Sequence, residues 1–305
     1  MKNYLPFILT LLVLFSGCNN KKTQEPVLNL GVMSSMDYLP LAVAQREGYF
    51  QEEGLNIKIQ KFYSANERDA AFQSGNVDGV VIDYTGAILQ KAGGTDLKLT
   101  SKCDAPFYVV ANSSIDSLPQ LKGKKVAVSQ NTVIDYCVDM ALKSARLTAS
   151  DIDKVEINKI PLRFEMLQNN KIDATGLPNP FALMAEKDGS NILSSNTQLG
   201  LSITGIIFSG KAIESKSEMI SKMYSAYNKG VEYIKAHPIG DIQDILIKDL
   251  GFNESIIPNV ILPDYTEATL PTDKDIQSVI DWLTDRKLIG ASFDKSSVLD
   301  DRFTR

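Results

Sequence analysis

The sequence predicts an α/β protein of two lobes, each a mainly parallel sheet flanked by helices. Three observations predict it. Strand-like and helix-like segments alternate as βαβαβ and the order then recurs; that alternation gives a parallel sheet covered by helices. Short echoes link the two units: "FQSGNVDG" from Phe72 matches "LQNNKIDA" from Leu167 at an offset of 95, and "LNIKIQKF" matches "VEINKIPL" at an offset of 100. Two short apolar strands, Phe107 to Asn112 and Gly205 to Gly210, flank the second unit and are candidate crossings between lobes. Chance similarity between short amphipathic units is the alternative account of the echoes, and it leaves the alternation standing.

The elements follow in order. Lys2 and the apolar run Leu5 to Phe15, ending in "SGC", read as an export signal too short to span a membrane. "LFSGC" resembles a bacterial lipobox in which Cys18 is lipidated, with Phe15 where Leu is usual. A plain secretory signal with an incidental cysteine is the alternative, and it exports the chain equally. "VLNLGVM" is a strand, "LPLAVAQREGYF" a helix with Gly48 as its stop, "LNIKIQKF" a half-buried alternating strand and "NERDAAFQSG" a short helix. "VDGVVIDY" is an apolar, β-branched strand covered on both faces, and "LKLTSKC" adds another. The second unit reads "KKVAVSQ" strand, "NTVIDYCVDMALKSARL" helix, "VEINKIPL" strand, "RFEMLQNNK" helix and "IDATGLP" strand. Three helices close the chain, the last opening at Thr272 and Asp275 in a near capping box. The expected division is a signal over 1–17, a tether over 18–26, a first lobe of 27–110 plus 205–305, and a second lobe of 111–204.

Net charge is −5 with no basic block, which argues against a nucleic-acid partner. Cys103 and Cys137 have no spacing that demands a disulfide. His237 is the only histidine and sits at a helix end before Pro238, so no nucleophile–base set is apparent. Metal ligation by the acids and Cys103 is disfavoured for want of histidines and ligand spacing. No cofactor is expected.

Five pieces in order resemble one family. "YLPLAVAQREGYFQEEGLNIKIQKF", "AAFQSGNVDGVV", "LKGKKVAVSQNTV", "MLQNNKIDATGLPNPFALMAEKDG" and "DKDIQSVIDWLTDRKLI" resemble the periplasmic-binding proteins for nitrate, sulfonates, taurine and thiamine pyrimidine precursors, and the lipobox suits them. The resemblance runs from Leu28 to about Phe303. It implies a two-lobed, venus-flytrap fold of periplasmic-binding-protein type II with two strand crossovers. It implies a solute held between lobes and delivered to an ABC permease and its ATPase, with no catalysis and a monomeric, lipid-anchored, exported protein. Enzymes on this fold, a pyrimidine synthase and menaquinone-branch enzymes, are rivals; the first depends on a histidine and a Cys-rich motif that this chain lacks. Methionine-binding lipoproteins are the rival within transport. A sensing receptor fits the same features.

Ligands in open α/β sheets sit beyond the carboxyl ends of strands. That rule selects Ser35, Met36, Asp37, Tyr38, Ser64, Asp83, Tyr84, Cys103 and Asp104 in the first lobe, and Gln130, Asn131, Thr132, Arg163, Asn179 and Phe181 in the second. Each has a plainer role beside it. Asp37, Asn131 or Thr132 could cap a helix; Tyr38, Tyr84 and Phe181 could fill cores; Arg163 could be a solvated first-turn residue. Asp83, ending a buried strand, needs a partner, from the solute or from the protein. Asp37, Asp83 and Asp104 outnumber Arg163, so the expected solute is amine-bearing or cationic, in the form of a heteroaromatic, thiamine-pyrimidine-like ring or an amphoteric molecule.

Overall fold

The computed structural model describes residues 26–304, so the export signal, Cys18 and nearly all of the tether lie outside the described residues. The first half of the chain forms β1 (Leu28–Met33), α1 (Leu39–Arg46), α2 (Tyr49–Glu52), β2 (Ile57–Phe62), α3 (Ala65–Gln73), β3 (Gly79–Asp83), α4 (Tyr84–Ala92) and β4 (Leu97–Cys103). Then come β5 (Phe107–Ala111), β6 (Lys125–Val128), α5 (Val133–Ser144), β7 (Asp153–Glu156), α6 (Ile160–Gln168), β8 (Ala174–Pro178), α7 (Phe181–Lys187) and β9 (Asn191–Ser195). The chain ends with β10 (Thr204–Ser209), α8 (Gly210–Ser215), α9 (Ser217–Ala236), α10 (Ile239–Lys248) and α11 (Asp273–Asp285).

Two five-stranded sheets result, ordered β2-β1-β3-β10-β4 and β7-β6-β8-β5-β9. Strand for strand the two orders are the same pattern, which is the offset echo made visible. In each sheet three neighbouring strands pair in parallel, as βαβ units do, and the far edge strand runs the same way. The fourth place is taken by an antiparallel strand from the other stretch of chain: β10 between β3 and β4, and β5 between β8 and β9. The chain therefore crosses between sheets at residues 104–106 and 196–203. The strand Phe107–Ala111, assigned to the first lobe from sequence, sits wholly in the second sheet, because Phe107 pairs with Pro178 and Tyr108 with Ser195.

One local reading also changes. The strand read through "VEINKIPL" stops at Glu156; Pro161 lies in the first turn of α6, where its missing N–H costs nothing. The stop expected at Gly48 is present: its φ of +80° is left-handed backbone that favours glycine, and α2 is a separate single turn beyond it.

The cores explain what is fixed. One apolar cluster packs α1 against α9 and α10 in the first lobe, through Leu39, Leu41, Val43, Tyr227 and Val231. A second runs across both lobes, joining Ala87 and Ile88 of α4, Ile134, Val138 and Ala141 of α5, and Ile276, Val279 and Leu283 of α11. The α1–α9 contact is tight at Gly230, where a Cβ would lie 2.3 Å from the Pro40 carbonyl oxygen. Gly230→Ala is therefore expected to destabilise the protein by about 1–3 kcal/mol, the usual cost of overpacking; thermal denaturation checks it, and an unchanged midpoint would mean that α1 yields.

Candidate functional site

The carboxyl ends of β1, β3, β6 and β8 face one another across the two sheets, and a cavity of about 40 Å³ lies between them. The first lobe contributes Ser35 and Asp37, in the turn after β1, with Arg68 from α3 and Asp83 from the end of β3. The second contributes Ser129 and Thr132 beyond β6, Asn158 beyond β7, and Arg163 from α6. The volume suits a compact charged group and a few waters. At the mouth the Ile160 N–H donates to the Tyr63 carbonyl at 3.3 Å and Lys159 lies 3.4 Å from Glu67; farther along the lobe boundary, at a separate pocket, Lys187 Nζ donates to the Ser255 carbonyl at 3.3 Å.

Charge in the cavity is mostly settled within the protein. Asp83 Oδ2 accepts from Arg68 Nη2 at 3.0 Å, and Oδ1 accepts from the Gly86 N–H at 2.8 Å and from the Thr85 hydroxyl. Arg68 Nε also donates to Asp69 at 2.8 Å. Burial alone would lower the Arg68 pKa, but the two carboxylates overcome it and hold the guanidinium above its ordinary range.

Two groups stand apart. Asp37 is buried, and desolvation pushes its pKa up to about 6; the Ser35 hydroxyl, which donates to Oδ1, and the charge of Arg68 pull it part of the way back. Arg163 is 1% exposed. Its Nε donates to the Gly176 carbonyl at 3.3 Å, and its Nη1 to the carbonyls of Ile157 at 2.8 Å and Asn158 at 3.2 Å. Among the described residues no carboxylate pairs with it, and burial lowers its pKa to about 10.

Of the residues selected from sequence, the structure brings Ser35, Asp37, Asp83, Thr132 and Arg163 to the cavity wall. The others are placed elsewhere. Met36 is buried in the first core, its carbonyl accepting from Tyr265 Oη at 2.7 Å. Tyr38 is buried there too, with Lys61 Nζ 5.6 Å from its ring centroid. Tyr84 is fully buried with its hydroxyl 3.0 Å from Ser202 Oγ. Ser64 caps α3, accepting from the Glu67 N–H at 3.3 Å. Gln130 is exposed, and the Asn131 N–H is taken by Asp135. Asn179 is buried, its Oδ1 without a partner among the described residues, and Phe181 packs on Phe164 with centroids 5.8 Å apart. Cys103 and Asp104 line a separate groove of about 530 Å³ at the crossings. There Asp104 is held by Lys102 and by the N–H and hydroxyl of Thr266. Cys103 and Cys137 are both free and buried.

Capping resolves separately for the two ambiguous loops. Thr132 does cap α5, accepting from the Ile134 N–H at 3.3 Å. Asp37 caps nothing; it lies inside the single turn Met36–Tyr38, and neither that turn nor α1 has a side-chain cap.

Sequence reasoning missed Arg68, Ser129 and Asn158 on the wall. Arg68 had a usable signal. Ala65, Arg68, Ala71 and Phe72 share the buried face of α3 at helical spacing, so an arginine stands on an apolar stripe. Ser129 and Asn158 lie one and two residues past their strands and bond each other, Ser129 Oγ to Asn158 Oδ1 at 2.8 Å.

Similarity to known proteins agrees with this architecture. The family model described as "NMT1/THI5 like" matches residues 35–240. The putative aliphatic sulfonates-binding protein of Bacillus subtilis is 24% identical over all of this chain and 96% of that relative. A ligand-binding component of an ABC-type import system from Staphylococcus aureus, solved with zinc bound, superposes with a TM-score of 0.79 at 12% identity, covering 92% of this chain and 98% of that one. The alkanesulfonate-binding protein of Xanthomonas axonopodis pv. citri, solved with MOPS bound, does so with a TM-score of 0.74 at 16% identity, covering 90% and 96%. The described residues of the present chain bring no metal-binding group of three histidine, cysteine or acidic side chains together.

Proposed function

This chain belongs to the NMT1/THI5-like family, and from that premise we propose that it captures a small solute between its lobes for an ABC importer. The observation that carries the reading is Arg163: a buried cation with no carboxylate partner among the described residues, lining the cavity between the lobes. A buried charge left uncompensated is costly, so the site is built for an anionic group brought in by the ligand. Asp37, on the opposite wall, offers an acceptor that burial makes easy to protonate. A small amphoteric solute satisfies both, with its acid at Arg163 and an amine at Asp37.

The acid count that favoured an amine from sequence is weaker than it looked, since Asp83 and Asp104 have protein partners. The amine preference now rests on Asp37 alone. An aromatic solute has less support, because Tyr38 and Tyr84 are buried in cores and the cavity is small. A plain sulfonate is the second reading, favoured by what the Bacillus and Xanthomonas proteins are named for; it would be met with Asp37 protonated. An exported monomer anchored through Cys18, close to its permease and the cognate ATPase, is the setting this function calls for. Solute capture works by differential binding: contacts to both lobes favour the closed state, and no covalent step is required.

Native mass spectrometry of the gently purified protein, followed by identification of any released solute, tests the reading. Calorimetry with an aminoalkanesulfonate, an alkanesulfonate, nitrate and an aminopyrimidine extends it. Stoichiometric binding of a small anionic or amphoteric solute is expected. Conversion of the solute into a product would transfer the chain to the enzymes.

A further inference from the structure

We propose that Arg286, at the end of the last helix, is a positioning residue: it pins the solute-facing end of α5 to the first lobe, so that the lobes swing about this point rather than separating at it. The inference rests on the reading of the molecule as a two-lobed solute trap, but its test needs no solute.

The last helix belongs with the first lobe. It packs on α4, and the segment after it bonds β4: the Leu99 N–H donates to the Val298 carbonyl at 2.6 Å and the Asp300 N–H to the Leu99 carbonyl at 3.0 Å. From its C-terminal end Arg286 reaches into the second lobe. Nη2 lies 3.0 Å from Asp135 Oδ2 and Nη1 lies 2.9 Å from Asp139 Oδ2. Trp282 Nε1 donates to the same Asp139 oxygen at 3.0 Å. Within the second lobe, Lys154 pairs with both acids, reaching Asp135 Oδ1 at 2.6 Å. Two cations thus meet two carboxylates, and one of each pair of contacts crosses between lobes.

Asp135 connects this cluster to the cavity. It is 0% exposed, and its Oδ2 accepts from the Asn131 N–H at 3.0 Å. Asn131 has a φ of +61°, so the bend between Ser129 and Thr132, both on the cavity wall, is held at that amide. Withdrawal of Arg286 would leave Lys154 as the one cation facing two carboxylates, one of them fully buried, and removing a partner from a buried charge cluster is among the costlier single losses in a protein interior. The mouth contacts and those beyond them bury no charge: they are one backbone hydrogen bond, exposed lysine contacts, and the half-buried Leu183 and Met184 of α7 against the first core. A rotation that opens the mouth while keeping the clasp moves α6 and Arg163 away from the first lobe and leaves Thr132 near Asp83. Arg163 then joins the solute last, on closure.

The test compares four solute-free proteins: the wild type, Arg286→Lys, Arg286→Gln, and Arg286→Gln with Asp139→Asn. The double variant removes the lobe-crossing pairs yet keeps Lys154 and Asp135 balanced, so its thermal midpoint should return most of the way to the wild type. The two readouts are small-angle scattering and hydrogen exchange of the peptide spanning Gln130–Ile134. Both Gln variants are expected to scatter as more expanded, wider-ranging particles. The Asn131 amide should exchange roughly tenfold faster in the single variant, as local opening becomes cheaper. The Lys variant should recover the wild-type scattering. Recovery of scattering as well as midpoint in the double variant would reduce the cluster to charge balance and overturn the proposal. So would wild-type scattering and exchange in the single variant.

Discussion

Arg163→Met is expected to weaken binding of the recovered solute by about a hundredfold or more, the usual consequence of removing one partner of a desolvated charge pair. The solute-free protein should denature within several degrees of the wild type. Two terms oppose each other in that state. The variant loses three hydrogen bonds to the carbonyls of Ile157, Asn158 and Gly176. It also no longer buries a cation that burial drives toward a pKa of about 10. Ligand linkage supplies the readout. At a solute concentration one hundred times the wild-type Kd, the wild type gains about 2.7 kcal/mol of stability. A variant that binds a hundredfold more weakly gains only about 0.4 kcal/mol under the same relation. A thermal-shift experiment therefore shows a large solute-dependent rise in one protein and almost none in the other. Arg163→Lys keeps the charge without the planar fork, and a loss of roughly tenfold is expected. Equal affinity in the Met variant would confine Arg163 to holding the bend at 157–158, and the site reading would lose its main support.

The alternation of strands and helices carried the fold into view because each parallel strand and its covering helix are neighbours in sequence. The offset echo was also a true signal, since the β2-β1-β3 arrangement returns as β7-β6-β8. The antiparallel strands were legible only as apolar segments. Phe107–Ala111 pairs with residues 63–71 positions away in β8 and 80–87 away in β9, and no local pattern reports such a pairing. For the site, the rule of strand ends found the loops but not the side chains within them. Met36, Tyr38 and Tyr84 follow strands, yet each turns into a core, because an apolar or aromatic residue is equally at home in either place. Asp83 showed the converse: its need for a partner was plain, and the partner was an arginine on a helix 15 residues earlier. The excess of acids read from sequence dissolved for this reason. Counting charges at strand ends omits the cations that helices and distant strands bring to them.

Asp37→Asn should raise the stability of the solute-free protein at pH 8 and lower its affinity for an amine-bearing solute. The first effect follows from the pKa of about 6 in the folded chain, against an ordinary carboxyl value of 3.8. A carboxyl raised in this way favours the folded state fully below pH 3.8. That advantage is lost progressively as pH rises to about 6, and none of it remains above. The shift corresponds to a penalty on the order of 3 kcal/mol at neutral pH. Asparagine does not ionise and its Oδ1 still accepts from Ser35, so the variant's midpoint should be higher at pH 8 by several degrees and less dependent on pH between 4 and 6. A buried acid kept at that cost is best explained by what it binds. The pH dependence of binding then separates the two solute readings. An amine needs the carboxylate, so affinity should fall as pH drops through about 6. A plain sulfonate needs the protonated acid, so affinity should rise over the same interval, and Asp37→Asn should bind it at least as well at pH 8. A lower midpoint in the variant at pH 8, with affinity unchanged, would make Asp37 a structural element of its turn.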